Sequence, residues 1–136
     1  MRFTTFRQGN EDRLGLVVGQ DVIDLNKAQP QISSDLRTAL RAGQDLSGAA
    51  QAAIASAAVR MPLSSLQLSP LLPEPGKIIC LGLNYFDHAK EGGRDKPEYP
   101  WFFLRSASSL LAPNAKALRP KVSEQLDYEA ELAVII

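Results

Sequence analysis

The chain has 136 residues, 45% of them hydrophobic and 22% charged, and its formal net charge is zero. This length suffices for one ordinary domain or two small ones. The balanced charge lacks both the basic stripe of a nucleic-acid-binding protein and the polybasic run that binds anionic membranes. No apolar run reaches the ~20 residues of a membrane-spanning helix, and no secretory signal begins the chain. We therefore expect a cytoplasmic protein that binds neither nucleic acid nor membrane.

Residues 1–61 predict a small α+β module. β-branched and aromatic runs favour three strands, and the last two are joined by a hairpin turn at Gly19-Gln20-Asp21. The predicted strands are residues 2–7, 14–18 and 22–25. Ser34 and Ser47 are the predicted N-caps of two helices, of which the first ends at Gly43 and the second covers residues 48–60. The module contains no histidine, phosphate-binding loop or metal-ligand spacing, so we expect no catalytic group in it.

Residues 62–76 predict an ordered connection between this module and a second domain. The segment holds four of the nine prolines, Pro62, Pro70, Pro73 and Pro75. Proline interrupts both helices and strand ladders. The second domain then begins at residue 77 and continues to Ile136.

The second domain predicts alternating strands and turns. Residues 77–83 form a buried strand that contains the single cysteine, Cys80, which we expect to be buried and inert. Asn84 caps a short helix over residues 85–91, which Gly92 and Gly93 end. The remaining predicted elements are a strand at 101–104, a turn-rich passage at 106–114 and a last strand at 126–136.

Three carboxylates alternate along the last predicted strand, in the sequence Leu126–Ile136. Side chains on a strand alternate faces, so Asp127, Glu129 and Glu131 share one face. Like charges this close raise one another's pKa or require a cation. Oxygen ligands at this density suit a hard divalent ion, although a solvated outer face is the more common origin of such a pattern.

His88, the single histidine, and Glu91 are three residues apart and share a face if the segment is helical. A carboxylate beside an imidazole raises its pKa and fixes its tautomer, as a general base near neutral pH requires. A surface helix with a modest ion pair gives the same spacing. Tetrahedral zinc is disfavoured, because no second histidine or cysteine cluster completes the ligand set.

The order of these motifs resembles that of the fumarylacetoacetate hydrolase family. The matching text is KIICLGLNYFDHAKEGG, then PWFFLRSASSLL, then LRPKVSEQLDYEAELAVII, over roughly residues 70–136. The resemblance implies a mainly β, α+β fold, in which a mixed β-sandwich roll follows a small α+β N-terminal domain.

The resemblance also implies a chemistry and a set of site residues. Glu129 and Glu131 fall on the family's metal-binding E-x-E pair, which takes Mg²⁺ or Mn²⁺, with Ca²⁺ as a third option. His88 and Glu91 fall on its water-activating dyad. Tyr85 and Arg105 fall in its substrate-binding region, although many members have lysine in place of Arg105. Members hydrolyse C–C bonds of acylpyruvates and other β-diketo acids, while relatives decarboxylate, hydrate or isomerise 2-oxo acids. A homodimer is expected for the full-length form.

The family's third carboxylate ligand and much of its roll lie downstream of the E-x-E strand. We therefore expect an incomplete catalytic domain with an exposed apolar sheet edge. Two alternatives stay open. The chain is a short descendant that lost the active site and acts as a binding module, or it is an unrelated α+β domain whose carboxylates face solvent.

Overall fold

The computed structural model describes residues 1–56, 58–128 and 130–136, which form two antiparallel sheets and four short helices. The strands are β1 Arg2–Gln8, β2 Glu11–Val18, β3 Asp21–Asp24, β4 Arg60–Pro62, β5 Leu68–Ser69, β6 Ile78–Gly82 and β7 Trp101–Arg105. The helices are α1 Leu25–Ala28, α2 Leu36–Arg41, α3 Leu46–Ala55 and α4 Phe86–Glu91. Short 3₁₀ turns lie at Leu63–Ser65 and Ala107–Ser109. None of these helices has the length and apolar composition needed to cross a membrane.

The first sheet has the strand order β4-β3-β2-β1-β5. With seven strands and four short helices in the described residues, the predicted α+β, mainly β fold class is confirmed. Every strand pair in the described residues is antiparallel, so the mixed sheet that the resemblance implies is not seen there. The predicted hairpin is confirmed, since β2 pairs with β3 through a turn in which Gly19 has a φ of +65°. Glycine adopts this left-handed conformation without steric cost.

The hydrophobic core lies between the first sheet and helices α1–α3. Leu14 and Leu16 of β2 face the helices with Ile23 of β3, and none of these side chains exceeds 1% exposure. Gly15 lies between them, where a Cβ would stand 2.5 Å from Cγ1 of Val22. Beyond residue 76, Ala89 is the one buried hydrophobic residue in the part of the chain that the structure describes.

Helices α2 and α3 begin at aspartates rather than at the predicted serines. Asp35, not Ser34, caps α2, because its carboxylate accepts from the Thr38 N–H at 3.0 Å. Asp45, not Ser47, caps α3 by accepting from the Gly48 N–H at 2.8 Å. A carboxylate at this position satisfies a free N–H and also interacts favourably with the helix dipole.

The second predicted helix was too long, since α3 ends at Ala55 and Arg60–Pro62 forms β4 instead. Here Met61 pairs with Val22 of β3, so sheet pairing prevails over local helix propensity. Leu68–Ser69 likewise pairs with β1. The proline-rich segment therefore contributes strands to the first sheet as well as connecting two regions. The domain boundaries at residues 61 and 76 remain predictions.

Strands β6 and β7 form a separate two-stranded ribbon, in which Ile78 pairs with Arg105 and Gly82 with Trp101. The predicted strands at 77–83 and 101–104 are confirmed, but the expected burial of the first is wrong. Cys80 is half-buried and Ile79 is 60% exposed. A ribbon of two strands has no second layer of its own to bury it. Apolar side chains of the ribbon are therefore exposed, while the apolar edge of an incomplete sheet remains a prediction.

The last predicted strand is wrong in the part of it that the structure describes. Residues 126–128 and 130–136 form neither strand nor helix, and Leu132 and Val134 are 81% and 77% exposed. A strand gains its stability from ladder hydrogen bonds and from packing of one face, and this segment has no strand partner among the described residues. The prediction that Asp127, Glu129 and Glu131 share one face of a strand therefore has no strand to support it. Glu129 itself lies outside the described residues.

Asp24 joins β2, β3 and α1 at the edge of the core. Its side chain accepts from Arg13 Nε at 2.7 Å and from the Lys27 N–H at 2.9 Å, which caps α1. Asn26 adds a second link, because it accepts from the Leu14 N–H and donates to the Ile32 carbonyl. Asp24 itself is 8% exposed.

Asp24→Ala should lower the free energy of unfolding by about 2–3 kcal/mol, because it removes a helix cap and leaves the Arg13 guanidinium unpaired near the core. Urea denaturation of both proteins measures the difference. Asp12→Ala is the comparison variant and should cost less, since it removes the more exposed Arg7–Asp12 pair, worth about 0–1 kcal/mol, and the hydrogen bond from the Ser69 hydroxyl, worth about 1 kcal/mol. Equal losses for the two variants would contradict the assigned role.

Asp35→Ala should destabilise the protein by about 1 kcal/mol near neutral pH, through the loss of the α2 cap. The Thr38 hydroxyl lowers the pKa of Asp35 below its ordinary 3.8, partial burial opposes this shift, and the backbone N–H groups of Thr38 and Arg37 add to it. The stabilisation is therefore complete above pH 3.8 and is lost as the pH falls through the lower folded value. Acid titrations of stability for wild type and variant should converge. A constant difference would contradict this.

Candidate functional site

Helix α4 carries two of the predicted site residues and follows β6 through a strained turn. Leu83, in this turn, has a φ of +53°, in the left-handed region. That conformation costs a residue with a Cβ about 1–2 kcal/mol. The N-cap is Tyr85, without a side-chain cap bond, so the predicted cap Asn84 is wrong. Gly93, with a φ of +64°, follows the end of the helix as expected.

His88 and Glu91 lie on α4 with the predicted spacing of three residues. That spacing gives them one face of the helix. His88 is half-buried and Glu91 is exposed, while Ala89 between them is buried. Lys90 lies with its Nζ 4.9 Å from the centre of the Phe86 ring. The helix thus packs through Ala89 and leaves the Glu91 carboxylate open to solvent.

Tyr85 brings the α4 turn and the carboxylate segment together. Its hydroxyl accepts a hydrogen bond from the Leu132 N–H, with 2.9 Å between Oη and N. Its own carbonyl accepts from the Ala89 N–H at 3.1 Å and closes the first turn of α4. Leu132 directly follows Glu131, so the contact brings one predicted metal ligand to the turn that precedes His88. No sequence pattern marks Leu132 for this role, because a bond across 47 positions depends on the tertiary fold.

The carboxylates of the last segment are open to solvent where the structure describes them. Asp127 and Glu131 are exposed, and Asp127 accepts from the Tyr128 N–H at 2.8 Å. Carboxylate oxygens are the donors that Mg²⁺, Mn²⁺ and Ca²⁺ prefer. Within the described residues no three His, Cys, Asp or Glu side chains come together as a metal site. The described donors thus fit a hard cation in type but are too few to enclose one.

Arg105, a predicted substrate contact, lies at the other end of the ribbon. It pairs with Ile78, whereas α4 follows Gly82, so about 13 Å of strand separates the two ends. The Arg105 guanidinium carbon lies 5.9 Å from the centre of the Phe103 ring. The roles of Arg105 and Tyr85 in substrate binding remain predictions.

A cavity of ≈ 280 Å³ lies in the N-terminal part of the chain, away from α4. Thr5, Asp35, Arg37, Leu71 and Glu74 contribute to its lining. Arg37 donates to the Glu74 carbonyl at 2.6 Å, and Asp35 is already bound to Thr38. Arg37 and Asp35 are therefore held by the protein itself, which fits a structural gap better than a catalytic site.

Comparison with known proteins identifies relatives of both halves of the chain. The sequence profile described as Fumarylacetoacetate (FAA) hydrolase C-terminal matches residues 77–136. The mitochondrial oxaloacetate tautomerase fahd2 of Xenopus laevis is 34% identical over 140 aligned residues, covering 100% of this chain and 44% of the relative. The protein MJ1656 of Methanocaldococcus jannaschii is 49% identical over 63 residues, covering 46% of this chain and 27% of the relative.

A solved structure supports the same relationship. Maleylpyruvate hydrolase from Sphingobium sp. SYK-6, in complex with manganese(II) and pyruvate, matches with a TM-score of 0.55 and 31% identity. The match covers 80% of this chain and 38% of that one. The chain thus spans less than half the length of these relatives.

Leu83→Gly should leave the ribbon's stability nearly unchanged, because relief of the left-handed strain offsets the lost side-chain contacts and the added freedom of the unfolded chain. Leu81→Gly in β6 is the matched control, and it should weaken the ribbon by about 1–2 kcal/mol because no strain is relieved. Hydrogen exchange of the β6 and β7 amides measures both effects. A larger loss at Leu83 than at Leu81 would contradict the strain assigned to the turn.

Proposed function

The chain belongs to the fumarylacetoacetate hydrolase family, and we propose that it contributes the first part of a divalent-metal-dependent enzyme acting on a small 2-oxo or β-diketo acid. The reaction that we favour is hydrolysis of a C–C bond in an acylpyruvate. The hydrogen bond between Tyr85 and Leu132 carries this proposal, because it joins the turn before His88 and Glu91 to the segment with Glu131.

In this proposal Glu129 and Glu131 supply carboxylate ligands to Mg²⁺ or Mn²⁺, with Ca²⁺ as an alternative. When bound, such a cation polarises a carbonyl oxygen as a Lewis acid. The manganese(II) in the related maleylpyruvate hydrolase supports a divalent cation without distinguishing between the two metals. Asp127 is the additional oxygen donor in the same segment, and its carboxylate is exposed.

His88 acts as the general base, and Glu91, on the same face of α4, orients its imidazole. For hydrolysis, His88 takes a proton from the water whose oxygen adds to the acyl carbonyl carbon. The C–C bond then breaks, a carboxylic acid leaves, and the pyruvate carbon receives a proton. The half-burial of His88 supports this role, because its imidazole is partly shielded from bulk water.

A second candidate is keto–enol isomerisation of a 2-oxo dicarboxylic acid. The oxaloacetate tautomerase relatives favour it, since their alignment runs along all of this chain. The same base would take a proton from the carbon next to the 2-oxo group and return it to oxygen. Decarboxylation or hydration uses the same metal and base. A cytoplasmic homodimer of the full-length form also remains part of the proposal.

We expect the 136-residue chain alone to show little turnover and weak metal binding, because Mg²⁺ has about six positions to fill and retains its waters. A protein of the relatives' full length that carries this chain should act on an acylpyruvate or on oxaloacetate with Mg²⁺ or Mn²⁺. Product formation from both substrates, with and without EDTA, measures this. EDTA-insensitive turnover would overturn the mechanism, and robust turnover by the short chain would show that its own residues complete the site.

In the full-length protein, His88→Ala should reduce kcat by about 10²–10⁴-fold, the usual contribution of a general base. Glu131→Gln should raise the Mn²⁺ concentration needed for half-maximal activity, because an amide is a weaker ligand than a carboxylate. Glu98→Gln, at an exposed position outside the site, is the control and should leave both parameters unchanged. A fully active His88→Ala variant would exclude this base. The alternative of a non-catalytic binding module would be supported only if the wild-type protein were inactive as well.

A further inference from the structure

We propose that Tyr85 is a positioning residue whose hydroxyl fixes the peptide group between Glu131 and Leu132 and so aims the Glu131 carboxylate into the site. This inference rests on the proposed function, because it concerns the same carboxylate. It assigns to Tyr85 a task different from the substrate contact expected from the sequence.

The geometry of a peptide group makes this contact effective. The Glu131 carbonyl and the Leu132 N–H belong to one planar unit, so fixing the N–H also fixes the orientation of that plane. The plane begins at the Glu131 Cα, and its orientation restricts the backbone from which the Glu131 side chain projects. A bond of 2.9 Å to Tyr85 Oη lies in the normal range for a neutral donor and acceptor.

The Tyr85 side of this contact lies in the turn that begins α4. Tyr85 is the N-cap of α4, and its carbonyl accepts from the Ala89 N–H at 3.1 Å around the turn that contains His88. One residue therefore belongs by its backbone to the turn of the candidate base and by its side chain to the segment of the candidate metal ligand. A change at the hydroxyl would alter the relative placement of the two groups without removing either.

The segment needs such a restraint, because residues 130–136 belong to no strand in the described part of the chain. No ladder hydrogen bonds orient the Glu131–Leu132 peptide there, and the neighbouring Leu132 side chain is 81% exposed. The Tyr85 hydroxyl, which accepts through a lone pair, retains its O–H as a donor. That donor remains available for a second acceptor in the site.

The decisive variant is Tyr85→Phe, which removes the hydroxyl and keeps the ring. In the 136-residue chain, NMR hydrogen exchange of the Leu132 amide should become about fivefold faster, the factor that corresponds to one typical net hydrogen bond. Line broadening of the amides of residues 130–132 by added Mn²⁺ should require about fivefold more metal. Exchange in β6 and β7 and the thermal unfolding midpoint should not change. Tyr99→Phe, at a position that is 76% exposed, is the matched control.

The outcomes separate the two proposals. Unchanged Leu132 exchange in Tyr85→Phe would overturn the anchoring itself. Faster exchange with an unaltered Mn²⁺ response would overturn the positioning role and leave the proposed metal site standing. A wild-type chain without any Mn²⁺ broadening at Glu131 would contradict the proposed metal site and the positioning role together, while Leu132 exchange would still decide the anchoring. Equal effects of Tyr85→Phe and Tyr99→Phe would count as a general surface effect and overturn the proposal.

Discussion

Burial of one face of the first sheet is the constraint on which the rest of the structure depends. Leu14, Leu16 and Ile23 of the sheet are almost fully enclosed beneath three short helices, together with Leu25 of α1. Burial of such side chains contributes about 1.5–3 kcal/mol each, far more than a six-residue helix such as α2 gains from its own hydrogen bonds. The helices are therefore held by this packing and by their aspartate caps. The same sheet gains β4 and β5, by strand pairing, from a proline-rich stretch of chain.

Among the described residues of the second half of the chain, no layer of helices covers the sheet. The β6–β7 ribbon leaves Phe103 and Leu104, which point to opposite faces, 44% and 73% exposed, and the described residues that follow form no strand. Apolar side chains of this size on both faces of a ribbon are typical of a sheet covered on two sides. The chain spans less than half the length of its tautomerase and hydrolase relatives, and the proposed activity concerns a protein of that full length.

The candidate site combines a regular helix with a segment that belongs to no sheet. Helix α4 holds His88 and Glu91 on one regular element, whereas Glu131 belongs to a segment without a partner strand among the described residues. Proton transfer and metal binding require groups held to within a fraction of an ångström. The segment with Glu131, which has no partner strand, is the part of the candidate site whose placement is least defined. The Tyr85 hydroxyl gives that segment a defined contact with the helical turn. Among the described residues, the placement of Glu131 relative to His88 therefore depends mainly on the Tyr85 side chain.

The sequence by itself predicted the resemblance to the family, the α+β class, the first hairpin, both strands of the ribbon and the helix that carries His88 and Glu91. These features follow from local periodicity, turn residues and motif order, which neighbouring residues encode. Tertiary structure decided that Arg60–Pro62 pairs with β3, that residues 130–136 form no strand and that Leu132 contacts Tyr85. An alternating pattern such as that after Leu126 states which side chains could share a face, but a strand exists only where a second strand accepts its hydrogen bonds. That partner is chosen by contacts between residues far apart in the chain.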